Sequence, residues 1–206
     1  PTGTELVNIG SELKPGDIIE YNSLVLAAQV KEWGGKPNRY PITPDEFEAI
    51  YERVEEAAQV SDLVLINAGS SAGSEDFSAS VIEKLGEVLV HGIAVRPGHP
   101  VILGMIHLGR KAIPVIGVPG YPVSAALTGE MFVEPLLARW LGRQPLENST
   151  VKAKITRKVV SPGGDDEFMR VMVGNIDGKM LTAPLPRGAG VITSLVRADG
   201  IVIIPR

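Results

Sequence analysis

Apolar positions in the first 145 residues fall into short runs that alternate with stripes at helical spacing. Residues 62–66, Asp-Leu-Val-Leu-Ile, form a compact apolar run with the character of a buried parallel strand. Phe77 to Leu85 carries apolar residues at helical spacing and stops at Gly86. Earlier, Asn22 or Ser23 can cap a helix that runs to Trp33 and ends at Gly34-Gly35. Thr43-Pro44-Asp45-Glu46 has the form of a capping box with Pro at the first helical position. The helix after it places Phe47, Ile50, Tyr51, Val54 and Ala58 on one stripe. Val88 to Val95 and Val101 to Met105 are expected as strands on either side of the turn Arg96-Pro97-Gly98-His99. Ala112 to Val118 is a further strand, which Pro119-Gly120-Tyr121-Pro122 turns into a helix reaching Trp140. This alternation predicts a three-layer α/β/α domain over residues 1–145 with a mostly parallel sheet.

Residues 142–149 have the composition of a linker, and beyond them the hydrophobic period changes to two. Residues 151–158 and 168–173 alternate cleanly; Ser161-Pro-Gly-Gly-Asp165 makes a turn, and Asp177-Gly178 is a hairpin signal. Residues 150–206 are therefore expected to form a small antiparallel β domain resembling an incomplete barrel.

Bulk composition narrows the function. The chain has 206 residues, 44% apolar and 21% charged, with a net charge of −4 and scattered basic residues, which argues against nucleic acid as a partner. No apolar run is long enough to span a membrane and no signal peptide is visible, so a cytoplasmic location is expected. The absence of cysteine excludes disulfides, thiolate metal sites and thiol catalysis, and only His91, His99 and His107 could act as imidazole ligands. A start at Pro1-Thr2-Gly3 without Met, and an end on an apolar strand, suggest a fragment of a longer protein.

Against that background the loop Asn67 to Asp76 carries the most chemistry. Gly69, Ser70, Ser71, Gly73 and Ser74 lie between a strand and a helix start, where free N–H groups and the helix dipole favour an anion. The loop ends in Glu75-Asp76, so donors for an anion stand beside acids that suit a cation; the plainer alternative makes Asp76 a helix cap. Pro119-Gly-Tyr-Pro-Val-Ser124 offers a tight turn and a hydroxyl near a helix start, or simply a capping serine. With Thr2-Gly-Thr-Glu5, these loops lie at or near strand carboxyl ends, where open α/β sheets bind ligands. Arg96-Pro-Gly-His99 can present two basic side chains together, although such a turn alone is commonly solvated surface. Arg170 shares its strand face with Phe168 and Met172, as an edge charge or as a ligand at a domain interface.

Taken in order, these segments resemble the molybdopterin molybdenumtransferase family (molybdenum insertases, including the gephyrin E domain) over its last two domains. The family's T-G-D-E-L stands as Thr2-Gly-Thr-Glu-Leu6, and its S-G-G-V-S-V-G-x-x-D-[YF] as Asn67-Ala-Gly-Ser-Ser-Ala-Gly-Ser-Glu-Asp-Phe77. K-P-G-K-P appears as Arg96-Pro-Gly-His-Pro100, P-G-N-P-V-S-A as Pro119-Gly-Tyr-Pro-Val-Ser-Ala125, and E-F-x-R as Glu167-Phe-Met-Arg170, with Thr193-Ser194 as the hydroxyl pair. The resemblance implies an enzyme that cleaves adenylylated molybdopterin with a divalent metal, releases AMP and places molybdate on the dithiolene. Asp76 and Glu5 match its catalytic and Mg²⁺-binding acids. Thr2, Gly3, Gly69, Ser70, Ser71, Gly73, Ser74, Pro119, Gly120 and Tyr121 match its molybdopterin and nucleotide loops. Arg96, His99, Ser124, Arg170 and Ser194 match residues that hold molybdate. Carboxylates suit Mg²⁺, and arginine with hydroxyls suits a tetrahedral oxyanion.

The departures are informative. Thr4 replaces an acid, His99 replaces a permanent cation with a titratable one, and Tyr121 replaces an Asn. In carrying Tyr121 the chain also resembles insertases fused to a periplasmic-binding-protein-like module. The resemblance implies a homodimer in the full-length protein, completed by two domains that lie outside this chain. Two alternatives stand beside the insertase: a molybdopterin adenylyltransferase-like enzyme, against which the β domain argues, and a non-catalytic module that binds molybdopterin or an oxyanion.

Overall fold

The computed structural model describes residues 1–67, 77–147, 149–160 and 163–206. Strands β1 (Leu6–Val7) and β2 (Ile18–Ile19) form a small parallel pair. There follow α1 (Asn22–Glu32), α2 (Phe47–Val60), β3 (Val64–Asn67), α3 (Phe77–Leu85), β4 (Gly86–His91), β5 (Val95–Arg96), β6 (Ile102–Leu108) and β7 (Lys111–Val118). Helix α4 (Pro122–Thr128), one π-helical turn at Gly129–Val133, and α5 (Glu134–Trp140) complete this half.

The three expected layers are present. Strand β7 alternates between two cores: Ile113 and Val115 join Ile50 and Val54 of α2 and Val81 and Ile82 of α3. Ile116 and Val118 join Leu26 of α1, Trp33 just after it and Ala125 of α4 on the opposite face. Each fully buried Val or Ile contributes about 1.5–3 kcal/mol relative to exposure, so β7 anchors both faces.

The sheet, ordered β3-β7-β6-β4, is mixed rather than mostly parallel. Only β3 and β7 run parallel; β7–β6 and β6–β4 are antiparallel. The cause is local. Leu108 pairs with Lys111 across a two-residue turn in which Gly109 takes φ 60°, and such a hairpin fixes antiparallel neighbours. Strand β4 leaves α3 directly at Gly86, where a Cβ would collide with the Met105 carbonyl oxygen. Only glycine permits that junction.

Helix starts also differ from the expected caps. Helix α1 begins at Asn22, but the acceptor for its first turn is Glu20, whose carboxylate takes the Ser23 N–H and hydroxyl at 2.7 Å each. Thr43 does not cap α2, which starts at Phe47; Thr43 is buried and pairs with Thr2 as an isolated parallel bridge. The expected helix to Trp140 is present but carries the π turn in its middle. Burial there raises the Glu130 carboxyl above its usual pKa.

Residues 142–147 are tied down rather than slack. Arg143 donates to the Trp33 carbonyl, and the buried Glu134 carboxylate accepts the Leu146 N–H at 2.9 Å. Beyond them come β8 (Lys154–Ile155), β9 (Asp166–Ile176), β10 (Lys179–Pro184), α6 (Thr193–Arg197) and β11 (Gly200–Ile204). Strands β11-β9-β10 are antiparallel as expected, and Asp177 (φ 50°) with Gly178 (φ 77°) forms the hairpin turn. Strand β8 is shorter than the alternation of 151–158 implied, and it joins β10 in parallel.

One pairing had no counterpart in the sequence pattern. Strand β5 leaves the first half and pairs in parallel with the start of β9, Val95 opposite Asp166 and Arg96 opposite Glu167. The basic turn that follows β5 is thereby fixed to the second sheet.

Candidate functional site

At the carboxyl end of β3, the Thr2 N–H donates to the Asn67 carbonyl at 2.8 Å and the Gly3 N–H to the Thr43 carbonyl at 3.1 Å. Thr2 and Asn67 are both buried, and among the described residues the Asn67 Nδ2 group has no hydrogen-bond partner. An unpaired buried amide costs roughly 1–3 kcal/mol, so an acceptor from a ligand would be favoured there. Glu5 is half-buried and folds back over Gly3: a Cβ on Gly3 would lie 2.8 Å from the Glu5 Oε2 atom. The expected anion loop, with Gly69, Ser70, Ser71, Gly73, Ser74 and Asp76, lies outside the described residues.

The turn at Pro119, Gly120 and Tyr121 sits beside the start of α1, because the Asn22 side-chain amide donates to the Gly120 carbonyl at 2.6 Å. Pro122 opens α4 with the fixed φ that suits a first helical position. The next residue, Val123, donates its N–H to the Ala189 carbonyl at 3.0 Å, and Ser124 follows, buried in the first turn. Tyr121 packs near Gly190, where a Cβ would stand 3.6 Å from its ring. The strap 186–190 thus connects this turn to the second sheet.

From the other side of that strap comes Arg170. Its side chain is 2% exposed, and its Nε–H donates to the Ser194 hydroxyl at 3.0 Å. One terminal nitrogen donates to the Pro186 carbonyl at 2.8 Å and the Gly188 carbonyl at 3.3 Å. Ser194 donates its own proton to the Val191 carbonyl at 2.6 Å. Arg170 is therefore no solvated edge charge. Burial lowers its pKa, Glu167 opposes that shift, and a guanidinium stays charged regardless.

Arg96 and His99 meet at Asp165, a residue whose local sequence marks it only as the end of a turn. Asp165 is buried; Arg96 donates its Nε–H to Oδ2, and His99 Nδ1 stands 3.6 Å from Oδ1. The hydrogen bond from Arg96 holds the Asp165 carboxyl below the usual carboxylate range, with His99 adding a smaller push the same way. Two residues along, the buried Glu167 accepts from Arg187 Nε at 3.1 Å, while its Oε2 atom has no partner among the described residues.

The five residues matched to oxyanion binding thus fall into two pairs and a single. Arg170 bonds Ser194, Arg96 and His99 share Asp165, and Ser124 stands across the 186–190 strap. Among the described residues no hydrogen bond joins Ser124 to either pair. Asn22, Asp165 and Arg187 carry no site signal in the sequence. Only the β5–β9 pairing, across about seventy residues, brings Asp165 to Arg96.

A cleft of about 570 Å³ lies elsewhere, lined by Leu26, Val30, Leu65 and Leu137 among others, and reaches these residues only at Asn67. Its walls are mainly apolar and gather none of the cations above. No group of three or more His, Asp or Glu side chains able to hold a metal is found among the described residues, and no described helix could cross a membrane.

A family profile described as "Probable molybdopterin binding domain" matches residues 2–139. The chain belongs to the molybdopterin-binding domain family. Residues 152–206 match the profile of the MoeA C-terminal region, domain IV. Over 99% of this chain, the molybdopterin molybdenumtransferase of Bacillus subtilis is 31% identical, matched across 47% of its own length. Two structures of molybdopterin biosynthesis MoeA protein from Pyrococcus horikoshii superpose with TM-scores of 0.79 and 0.74, at 40% and 28% identity. Each covers 99% of this chain and 48% of its own. The tungsten cofactor synthesizing protein MoaB of Pyrococcus furiosus shares the fold of 69% of the chain, with a TM-score of 0.51 at 14% identity. The chain spans about half the length of the curated relatives it matches.

Proposed function

We propose that this chain is the molybdopterin- and oxyanion-binding part of a molybdenum insertase. Its substrates would be adenylylated molybdopterin and molybdate, and its products the metal-loaded pterin and AMP. The observation that carries the reading is Arg170, a guanidinium 2% exposed, bonded to Ser194 inside a region that matches MoeA domain IV. A fixed arginine is suited to a tetrahedral oxyanion, to which its guanidinium supplies directional donors, and the Ser194 hydroxyl could donate as well by turning its proton away from Val191. Arg96 and His99, joined to β9 through β5, would supply further positive charge, and Ser124 a hydroxyl from α4.

On this reading Thr2, Gly3, Asn67 and the turn at Pro119, Gly120 and Tyr121 receive the pterin phosphate, together with the loop 68–76. Mg²⁺ commonly takes one or two carboxylates and fills its shell with water and substrate phosphates. Glu5, held over Gly3, fits the first of these, and Asp76 is proposed as the second. The ion would neutralise charge on the scissile phosphoanhydride. Glu5 would position it, and Asn67 Nδ2 would hold a ligand acceptor. We also propose the division into domains at residues 1–145 and 150–206, and a homodimer for the whole protein.

The test uses the full-length parent. Molybdate-dependent release of AMP from adenylylated molybdopterin should occur, and Asp76→Ala should abolish it. Binding of the pterin with no AMP release under any metal would instead support the second reading, a non-catalytic binding module. The pairing of the Arg96 cation with Asp165 favours that alternative.

A further inference from the structure

Asp165 has no part in the proposed reaction, yet it occupies the position where a ligand of Arg96 and His99 would lie. The acid is buried and the two cations are not: their side chains are 56% and 63% exposed, against 9% for Asp165. Each cation addresses a different carboxylate oxygen, Arg96 the Oδ2 and His99 the Oδ1. A carboxylate engaged in this way imitates two oxygens of a tetrahedral oxyanion. Next to it Glu167 engages Arg187, so Arg96 and Arg187 are balanced by Asp165 and Glu167. With His99 neutral the four formal charges sum to zero. A dianion gains little from a neutral cluster, and juxtaposed like charges are unfavourable.

We propose that Asp165 is an intramolecular surrogate anion, which an incoming oxyanion must displace from Arg96 and His99. The inference rests on the reading of Arg96 and His99 as oxyanion ligands, and adds a residue that sets their affinity. An ordinary structural salt bridge is the competing account. It would hold β5 on β9, where the backbone already supplies the Asp166 N–H to Ala94 carbonyl bond at 2.9 Å. The two accounts differ in sign. A structural bridge makes removal of Asp165 harmful to binding; a surrogate makes it beneficial.

The experiment is calorimetric titration of the chain with molybdate, and separately with sulfate, for the wild type, Asp165→Asn and Asp165→Asn/Arg96→Gln. Asp165→Asn should bind the oxyanion roughly tenfold more tightly or better, and the double variant should lose that gain. Unchanged or weaker binding of both oxyanions by a folded Asp165→Asn overturns the proposal. A gain for sulfate but none for molybdate supports displacement while counting against molybdate as the ligand, which separates failure of the two readings. Should Asp165→Asn not fold, the Arg96 Nε–H resonance of the wild type gives a second readout. It shifts on titration if Asp165 is displaced, and a resonance that stays fixed overturns the proposal.

Discussion

Arg170 and Ser194 form a buried pair in which the guanidinium donates to the hydroxyl at 3.0 Å and the hydroxyl donates onward to Val191. The same guanidinium donates to the carbonyls of Pro186 and Gly188, so one side chain orders both the start of α6 and the strap that touches α4. Arg170→Ala would empty the space of a buried side chain and leave the buried Ser194 hydroxyl without its donor. The expected cost is about 3 kcal/mol of unfolding free energy, measured by urea denaturation. Arg170→Lys retains charge without the fork, so it should recover part of the stability yet bind molybdate more weakly than wild type. Equal recovery of both would count against an oxyanion role for Arg170.

Ser194→Ala removes the link between Arg170 and Val191 while leaving the arginine bonded to the strap. A loss of about 1–2 kcal/mol in urea denaturation is expected, because the buried Arg170 Nε–H loses its acceptor, while the Val191 carbonyl keeps the Ser194 backbone N–H at 2.9 Å. A variant as stable as wild type would mean that solvent or a neighbouring group replaces the hydroxyl.

The Asp165 carboxyl is held below its ordinary value by Arg96, and the sign of its pH effect follows. A lowered pKa in the folded state means that the unfolded chain binds the proton more readily. The stabilisation is therefore complete above the unfolded carboxylate value, about 3.9, and is lost as pH falls through the lower folded value. Melting temperatures of wild type and Asp165→Asn should differ at pH 6 and converge in strong acid. A difference independent of pH would show that the ionised carboxylate does not stabilise the fold.

Much of this architecture is legible in sequence because local signals and burial agree. The stripe Ile50-Val54-Ala58 faces the core it implied, and Asp177-Gly178 turns the hairpin it announced. The mixed sheet is not legible because the short turn Gly109-Arg110 joins two apolar strands that look alike in either direction. Thr43 misled because a capping pattern and a bridging strand residue share the same composition. In the candidate site, Arg170, Ser194, Arg96 and His99 carry recognisable motifs, and Thr2 bonds the carboxyl end of β3 while Glu5 folds over Gly3. Asp165 did not stand out, since its chemistry arises only from strand pairing between distant segments.

Gly3 offers a test of the acid expected to hold Mg²⁺. Its φ is 152°, and the Glu5 carboxylate and Leu6 Cγ lie 2.8 and 2.9 Å from the point where a Cβ would project, so a side chain there must displace them. Gly3→Ala should cost about 1–3 kcal/mol from backbone strain and push the Glu5 carboxylate away. If Glu5 positions the ion, AMP release by the full-length protein should require more Mg²⁺, seen as a raised half-saturating concentration. An unchanged Mg²⁺ requirement in a folded Gly3→Ala protein would remove Glu5 from the metal site.

The hairpin between β9 and β10 gives a control far from any ligand. Both turn residues have positive φ, and Gly178 at 77° has open space where a Cβ would project. Strain rather than collision therefore decides the effect of Gly178→Ala, about 1–2 kcal/mol for one residue forced into the left-handed region. Register across the hairpin is set by Lys179 opposite Ile176, and continues to Pro184 opposite Val171, next to Arg170. Because the loss is conformational and local, it should appear in urea denaturation while molybdate affinity of the folded protein stays within about twofold of wild type. A parallel fall in affinity would mean that the turn controls the placement of Arg170 through β9, and that the anion site depends on the whole strand rather than on the strap.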